Sequence, residues 1–167
     1  MIRPPHPLEI KLLPQIENAA DLRYRRAGLD IVVCMPAHSL AVLERGRRDG
    51  LLWIATGPTN RPVGFALLQV RSDFAMIDQL TVLDRWQRQG LGSALIARCL
   101  TEAQARGHAQ LHLTTYRDVA WNKPYYERRG FCEVPRGAFS RALQLEFSAE
   151  LRRGHPVWRR ALMVKPT

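Results

Sequence analysis

A short stretch with two glycines, Gln87-Arg88-Gln89-Gly90-Leu91-Gly92, is suited to binding phosphate. It directly precedes a predicted helix, and the first N–H groups of a helix have no partner within the helix and carry partial positive charge. Glycine at positions 90 and 92 lets a ligand approach the backbone without an intervening side chain. The stretch therefore predicts a site for phosphate oxygens, to which Arg85 and Arg88 would add positive charge.

On its own, this pattern is also compatible with an ordinary tight connection between a strand and a helix. It is not a Walker loop, because no Gly-Lys-Ser or Gly-Lys-Thr follows it. It is not the dinucleotide-binding motif either, because the third glycine and an acidic residue about 20 positions further on are absent. The kind of phosphate ligand therefore has to be inferred from other parts of the chain.

The elements that would position this stretch can be predicted from hydrophobic periodicity and from glycine and proline breakers. A helix over 91–106 follows the glycines, because Leu95, Ile96 and Cys99 fall on one half of its circumference. A strand at 111–115 follows that helix, and such a crossover favours parallel pairing with the strand before the loop. The remaining predicted elements are strands at 8–10, 51–55, 63–70, 75–82, 131–134 and about 157–164, and helices at 15–27, 37–48, 120–129 and 139–153.

These elements predict one α/β domain over 1–167, with a mixed sheet of about seven strands and helices on its faces. The length suits a single domain with one buried core. No run approaches the roughly 20 apolar residues that span a bilayer, and the first residues lack the apolar centre of a signal peptide. We therefore expect a cytoplasmic protein without a membrane partner.

Composition excludes several classes of function. The three cysteines, Cys34, Cys99 and Cys132, are scattered and odd in number, which favours reduced thiols over a disulfide framework. No metal-binding spacing of His and Cys occurs, so we expect no metal. The net charge of +10 favours anionic partners, but the arginines are dispersed in short groups and no RNA-binding motif accompanies them. We therefore expect a polyanionic cofactor and no nucleic acid.

Two motifs in the same order resemble those of the GNAT superfamily of N-acetyltransferases. Gln-x-x-Gly-x-Gly at 87–92 is similar to motif A, and the strand at 77–82 is similar to the strand that precedes it in that family. Tyr125-Tyr126-Glu127-Arg128-Arg129-Gly130-Phe131 is similar to Tyr-Glu-x-x-Gly-Phe of motif B. The resemblance is sharp over 77–131 and implies the GNAT-type acyl-CoA acyltransferase fold, in which two neighbouring parallel strands, here 75–82 and 110–115, splay apart.

The resemblance implies acetyl-CoA as co-substrate, bound in the gap between those strands. Leu80 and Val82 would offer backbone groups to the pantetheine arm, and the backbone N–H groups of 88–93 would hold the pyrophosphate. The positions that the resemblance assigns to acetyl-CoA are Leu80, Thr81, Val82, Gln87, Arg88, Gln89, Gly90, Leu91, Gly92, Ser93, Asn122 and Tyr126.

The resemblance also implies two catalytic residues. The motif B tyrosine corresponds to Tyr126, whose hydroxyl would protonate the departing thiolate, although Tyr126 could instead be a helix aromatic packed on the sheet. Asp78 is the carboxylate on the relevant strand and would act as general base, unless it is a cap or forms an ion pair with an arginine. Strand alternation puts Asp78, Leu80 and Val82 on one face unless a bulge intervenes, with Gln79 on the other. Tyr125 should point away from Tyr126.

One position departs from the family pattern. Many members have an asparagine that contacts CoA seven residues before the tyrosine, where this chain has Val119. Asn122 lies four residues before Tyr126 and could make a similar contact, or it could cap the helix that follows.

The predicted reaction is direct attack of a primary amine on the acetyl-CoA thioester in a ternary complex. Segments 20–40 and 135–158 would shape the acceptor pocket, and abundant arginine favours a small-molecule amine that carries an anionic group. A protein lysine or N-terminal acetyltransferase, or a non-catalytic regulator that binds acetyl-CoA, are the alternatives. A homodimer is compatible with the sequence, which does not determine the oligomeric state.

Overall fold

Seven strands form one mixed sheet in the computed structural model, which describes residues 1–167. The strands are β1 (Ile2–Arg3), β2 (Leu52–Thr56), β3 (Pro62–Val70), β4 (Ala75–Val82), β5 (Gln110–Tyr116), β6 (Cys132–Glu133) and β7 (Arg160–Pro166), in the order β1-β2-β3-β4-β5-β7-β6. The helices are α1 (Leu13–Asp21), α2 (Asp30–Cys34), α3 (Leu40–Arg48), α4 (Leu91–Ala105), α5 (Lys123–Glu127) and α6 (Arg141–Arg152). The predicted mixed α/β fold with about seven strands is confirmed.

The sheet is covered on both faces by helices whose apolar sides match the predicted periodicity. The helix α4 buries Leu95, Ile96 and Cys99 against one face. The other face packs against α1 and α3, through Leu13 and Leu43 among others. Apolar packing therefore covers both faces of the sheet in these regions.

The predicted first strand at 8–10 is wrong. Residues Pro7–Leu12 form a short 3-10 helix, and the first strand is Ile2–Arg3, which pairs with β2. Proline at the first helical position and the Glu9 side chain, which accepts a hydrogen bond from the backbone N–H of His6 at 2.7 Å, stabilise a helical turn at this point. The helix predicted at 15–27 is also divided: α1 ends at Asp21, and a 3-10 turn continues to Gly28.

A β-bulge at Asp78 changes the alternation of β4. Leu67 pairs with Gln79 but Leu68 pairs with Ile77, so Asp78 has no partner on β3. An extra residue in one strand reverses which side chains face the core beyond it. Leu80 consequently packs in the same core cluster as Ile77, and the prediction that Asp78 shares a face with Leu80 through simple alternation fails.

The strands β4 and β5 pair in parallel only at their beginnings. Residues 75–77 pair with 111–113, and no pairing joins the remainder of the two strands. The strands therefore separate towards their carboxyl ends and leave an opening in the middle of the sheet. All polar groups discussed below lie around this opening.

Candidate active site

Side-chain hydrogen bonds of Gln87 stabilise the loop between β4 and α4. The Gln87 side-chain amide donates to the Val82 carbonyl oxygen at 2.9 Å and to the Asp84 carboxylate at 3.0 Å. Arg88 and Gly90 adopt left-handed backbone conformations, with φ of 59° and 81°. This combination turns the chain sharply and presents the backbone at the start of α4 to the opening.

The start of α4 carries a run of free backbone donors. None of the six backbone N–H groups from Arg88 to Ser93 donates to another protein group, and the first bond of the helix runs from the N–H of Ala94 to the carbonyl of Gly90. The helix has fifteen residues, so these donors lie at the positive end of a long dipole. Such a cluster fits two linked phosphates.

Gly92 allows the Tyr125 side chain of α5 to approach the start of α4. A Cβ atom at this position would collide with the Tyr125 hydroxyl. The Arg129 guanidinium lies 3.5 Å from the centre of the Tyr125 ring and donates to the Ser93 hydroxyl oxygen at 2.9 Å. A fixed positive charge therefore stands beside the free N–H groups.

The opening is occupied by two cavities. The first, which we call the phosphate-loop cavity, has a volume of about 620 Å³. Its lining contains five arginines and a single acidic residue, Asp84. The arginines are Arg23, Arg26, Arg88, Arg128 and Arg129. An anionic ligand is therefore favoured in this cavity.

The second cavity, of about 510 Å³, lies on the other side of the opening and is bounded by α1, the 35–38 loop, β4, β5 and the end of α6. Four residues line both cavities: Tyr24, Leu80, Asn122 and Tyr126. The two cavities thus meet at these side chains, and a group bound in one can contact a group bound in the other there.

Tyr126 contributes a phenol with a free hydroxyl to this junction. Its ring packs edge-on against Tyr125 and Phe131, with centroid distances of 5.2 and 5.9 Å. Its hydroxyl makes no hydrogen bond within the protein. Burial raises the pKa of Tyr126 above its usual value, so the phenol keeps its proton at neutral pH. The junction therefore contains an O–H donor without a hydrogen-bond partner.

Asn122 is buried at the same junction and does not cap α5 through its side chain. Its amide and the Tyr24 hydroxyl are hydrogen-bonded at 3.1 to 3.2 Å. Of the two predicted roles, the cap is therefore excluded. Contact with a ligand stays a prediction, which its position on both cavities supports.

His38 joins two carboxylates on one wall of the second cavity. Its Nδ1 lies 2.8 Å from Glu17 and its Nε2 lies 3.2 Å from Asp78. Burial alone would lower the pKa of His38, but hydrogen bonds and charge from Asp78 and Glu17 outweigh it and raise the pKa to about 10. At neutral pH an imidazolium therefore holds both carboxylates.

The opposite wall contains a second paired set. The Arg160 guanidinium donates to Glu150 at 2.7 Å and to the Thr114 hydroxyl oxygen at 2.7 Å. Burial, with a smaller effect of the Arg160 charge, lowers the pKa of His155 to about 4, so the neutral ring can bond the Tyr116 hydroxyl, 2.5 Å away. Hydrogen bonds therefore connect Arg160, Glu150 and Thr114 on this wall, and His155 with Tyr116.

Most of the predicted site residues lie together around the opening. Tyr126 and Asp78 both line the second cavity, although Asp78 is paired with His38. The predicted acetyl-CoA positions that line the phosphate-loop cavity are Leu80, Val82, Gln87, Arg88, Gly90, Gly92, Ser93, Asn122 and Tyr126. Thr81, Gln89 and Leu91 do not line it: the Thr81 side chain is buried, and the Gln89 amide donates back to the Arg85 carbonyl.

Sequence reasoning missed several polar groups of the site. Arg23 and Arg26 come from a segment far away in sequence. Glu17 lies on α1, and His38 lies in the loop before α3, where a helix over 37–48 was predicted. The Arg128-Arg129 pair next to the motif B tyrosine was a usable signal, because adjacent cations favour an anionic ligand. The N–H of Leu80, one of the backbone groups predicted to face the pantetheine arm, donates to the side-chain oxygen of Gln79 at 3.1 Å.

A first prediction concerns the glycines of the loop. Gly92→Val should weaken acetyl-CoA binding by at least about tenfold, because a side chain there displaces Tyr125 and with it the Arg129 charge. Gly90→Val forces a β-branched residue into a left-handed conformation and should also weaken binding. Calorimetric titration with acetyl-CoA measures both. Gly137→Val, outside both cavities and without neighbours at its Cβ position, is the matched control, and equal affinity of all four proteins would contradict the prediction.

The separated strands and the cradle of N–H groups are the arrangement of an acyltransferase that uses acetyl-CoA. Residues 21–131, more than half of the chain, match the model of the family described as acetyltransferase (GNAT) family. The chain therefore belongs to the GNAT family of acetyltransferases.

Solved structures with the same fold come from several enzymes. An N-acetylglutamate synthase from Neisseria gonorrhoeae, complexed with coenzyme A and N-acetyl-glutamate, matches 99% of this chain with a TM-score of 0.71 and 17% identity. The chain spans only 34% of that protein's length. The ribosomal-protein-S18-alanine N-acetyltransferase from Escherichia coli has a TM-score of 0.66 and 22% identity, covering 99% of this chain and 92% of its own. The PaiA N-acetyltransferase from Thermoplasma acidophilum, in complex with coenzyme A, has a TM-score of 0.67 and 13% sequence identity. The match covers 100% of this chain and 98% of the PaiA chain.

None of the six helices has both the length and the apolar composition that a membrane crossing requires.

Proposed function

We propose that the protein moves an acetyl group from acetyl-CoA to the primary amine of a small molecule that also carries an anionic group. The observation that carries this proposal is the meeting of two cavities at Tyr126, one bounded by free N–H groups and arginines and the other by paired charges. A ternary complex needs such a junction, because both substrates must be bound when the nitrogen attacks.

The residues present fit the co-substrate. The N–H groups of 88–93 would hold the pyrophosphate, Arg129 would add charge, and the backbone of Leu80 and Val82 would run beside the pantetheine arm. When bound, acetyl-CoA supplies an acetyl group on a thioester, whose carbonyl carbon accepts a nucleophile and whose sulfur leaves as a thiolate. Tyr126 would donate its proton to that sulfur, since a protonated phenol with no other partner lies at the junction.

Asp78 stays a candidate for general base, but its surroundings weaken it. Its carboxylate is paired with a His38 imidazolium, whereas a general base needs an oxygen that is free to face the acceptor's ammonium group. Asp78 is therefore better suited to hold His38, and with it the wall of the cavity, in place.

The charges of the second cavity support an acceptor with an anionic group. Glu17 and Asp78 are paired with His38, and Arg160 is paired with Glu150, whereas the Arg153 guanidinium at the end of α6 makes no ion pair or hydrogen bond. An unpaired guanidinium at a cavity wall can bind a carboxylate or phosphate through two hydrogen bonds. The named products of the comparison enzymes include an acetylated amino acid, which is consistent with such an acceptor.

A panel of matched amines tests this proposal. Alanine, glutamine and glutamate are each compared with their α-carboxamides, which keep the amine and lose the α-carboxylate. Release of free thiol from acetyl-CoA is followed. We expect the free acids to have the higher kcat/KM. Arg153→Gln should lower kcat/KM for the acids by about tenfold to a hundredfold and change it little for the amides, because only the acids use the guanidinium.

The result also separates the alternatives. Turnover of amides and short peptides in preference to free acids would favour acetylation of protein N-termini. The name of the S18-alanine enzyme likewise indicates an acceptor that is part of a protein. Tight binding of acetyl-CoA without turnover of any amine would favour a regulator. Arg61→Gln, on the turn between β2 and β3 and outside both cavities, is the control for removal of one positive charge.

A further inference from the structure

The second cavity contains four carboxylates, and only one of them is without a partner. Glu17 and Asp78 are bonded to His38, and Glu150 is bonded to Arg160 and Thr114. Asp21, the last residue of α1, makes neither an ion pair nor a side-chain hydrogen bond, and it does not cap the 3-10 turn that follows it.

We propose that the Asp21 carboxylate takes the proton that the acceptor's ammonium group must lose before its nitrogen attacks, a role that rests on the proposed function. An alkylammonium has no lone pair, so a base in the second cavity is needed to remove its proton at neutral pH. Asp21 lines that cavity, and Tyr24, three residues further on, lies at its junction with the phosphate-loop cavity.

The balance of the reaction assigns each proton. The ammonium gives one proton to Asp21, and its nitrogen then forms the C–N bond as the C–S bond breaks. Tyr126 gives its proton to the sulfur, and the second proton, which leaves the nitrogen as the amide forms, restores the Tyr126 hydroxyl through solvent. Asp21 afterwards releases its proton to solvent, so that one proton is produced for each amide made.

The charges around Asp21 suit this task. Burial first and the neighbouring Glu17 carboxylate second raise the pKa of Asp21 to about 7, against smaller opposite effects of Arg23 and His38. These are the charged groups that face it from α1, from the following turn and from the 35–38 loop, with Asp78 behind His38. A base whose pKa lies near the working pH is both deprotonated and able to bind a proton.

The test uses the full chain with the most active amine of the panel above. Asp21→Asn should lower kcat at pH 7 by on the order of a hundredfold with little change in acetyl-CoA affinity. In the wild type, kcat should rise with pH through about 7 as Asp21 ionises. In the variant this rise should be replaced by one that follows the titration of the amine, and the two proteins should converge at high pH. Asp21→Glu should restore most of the activity.

Thermal stability distinguishes a catalytic Asp21 from a structural one. Because folding raises the pKa of Asp21, its ionised carboxylate destabilises the folded state above about pH 7, so on our proposal Asp21→Asn should raise the melting temperature at pH 8. A lower melting temperature together with an unchanged pH profile would overturn the proposal, as would loss of the pH 7 limb in Asp78→Asn and not in Asp21→Asn. The control is Asp49→Asn, exposed and outside both cavities.

Failure of the inference and failure of the proposed function can be told apart. If the wild type turns over no amine of the panel, the proposed function fails and the role of Asp21 fails with it. If the wild type is active and Asp21→Asn keeps its kcat and pH profile, only the role of Asp21 is overturned.

Discussion

Replacing Tyr126 by phenylalanine is expected to lower kcat by about a hundredfold to a thousandfold, in the range of general acid catalysis, while the affinity for acetyl-CoA changes little. The departing thiolate would lose its proton donor, because no other hydroxyl of the junction is free: the Tyr24 hydroxyl is engaged by Asn122. Binding should persist, since the N–H groups of 88–93 and the arginines of the phosphate-loop cavity are unchanged.

Steady-state kinetics with saturating acetyl-CoA, together with calorimetric titration, measures the two effects separately. The phenylalanine ring keeps the edge-on packing with Phe131, so the melting temperature should be nearly that of the wild type. Tyr125→Phe provides the contrast, because its hydroxyl faces Gly92 in the phosphate-loop cavity and its loss should act on acetyl-CoA affinity. An unchanged kcat in Tyr126→Phe would remove the general acid from the mechanism.

Replacing His38 by leucine is expected to lower the free energy of unfolding at pH 7 by about 3 kcal/mol, as for other buried ion pairs that lose one partner. The Glu17 side chain is only 6% exposed and would lose its one ion-pair partner. Asp78 would lose the same partner, and the 35–38 loop would lose its imidazole bonds to α1 and β4 and keep only the bond from the residue 38 backbone N–H to Glu17.

The pH dependence of stability gives an independent readout of His38. Its pKa rises from 6.5 to about 10 on folding, so the stabilisation is complete below pH 6.5 and is lost as pH rises through about 10. Urea unfolding at pH 6, 8 and 10 should show this decline in the wild type and a flatter profile in His38→Leu. His108→Gln, whose side chain makes no hydrogen bond and lines neither cavity, is the control. Equal stability of the wild type at pH 6 and 10 would contradict the assignment.

Local patterns in the sequence were sufficient for the elements and for the loop. Runs of apolar residues and the breakers between them predicted the meander β2–β4, the helix α4 and the crossover to β5, because hydrophobic period and backbone preference act over a few residues. The glycines at 90 and 92 predicted an anion-binding helix start for the same reason: φ at Gly90 and the space at Gly92 are local demands.

Only the tertiary structure decided which charges are available. Glu17 lies 21 positions and Asp78 lies 40 positions from His38 in sequence. Their contacts with His38 depend on how α1 and the 35–38 loop pack on the sheet. The bulge at Asp78 depends on the register with β3, which no pattern within β4 reveals. Whether a carboxylate is paired or free, and how far burial shifts its pKa, is determined by neighbours that the fold brings together from distant positions. This is why only the folded chain showed that Asp21 and Arg153 have no partner.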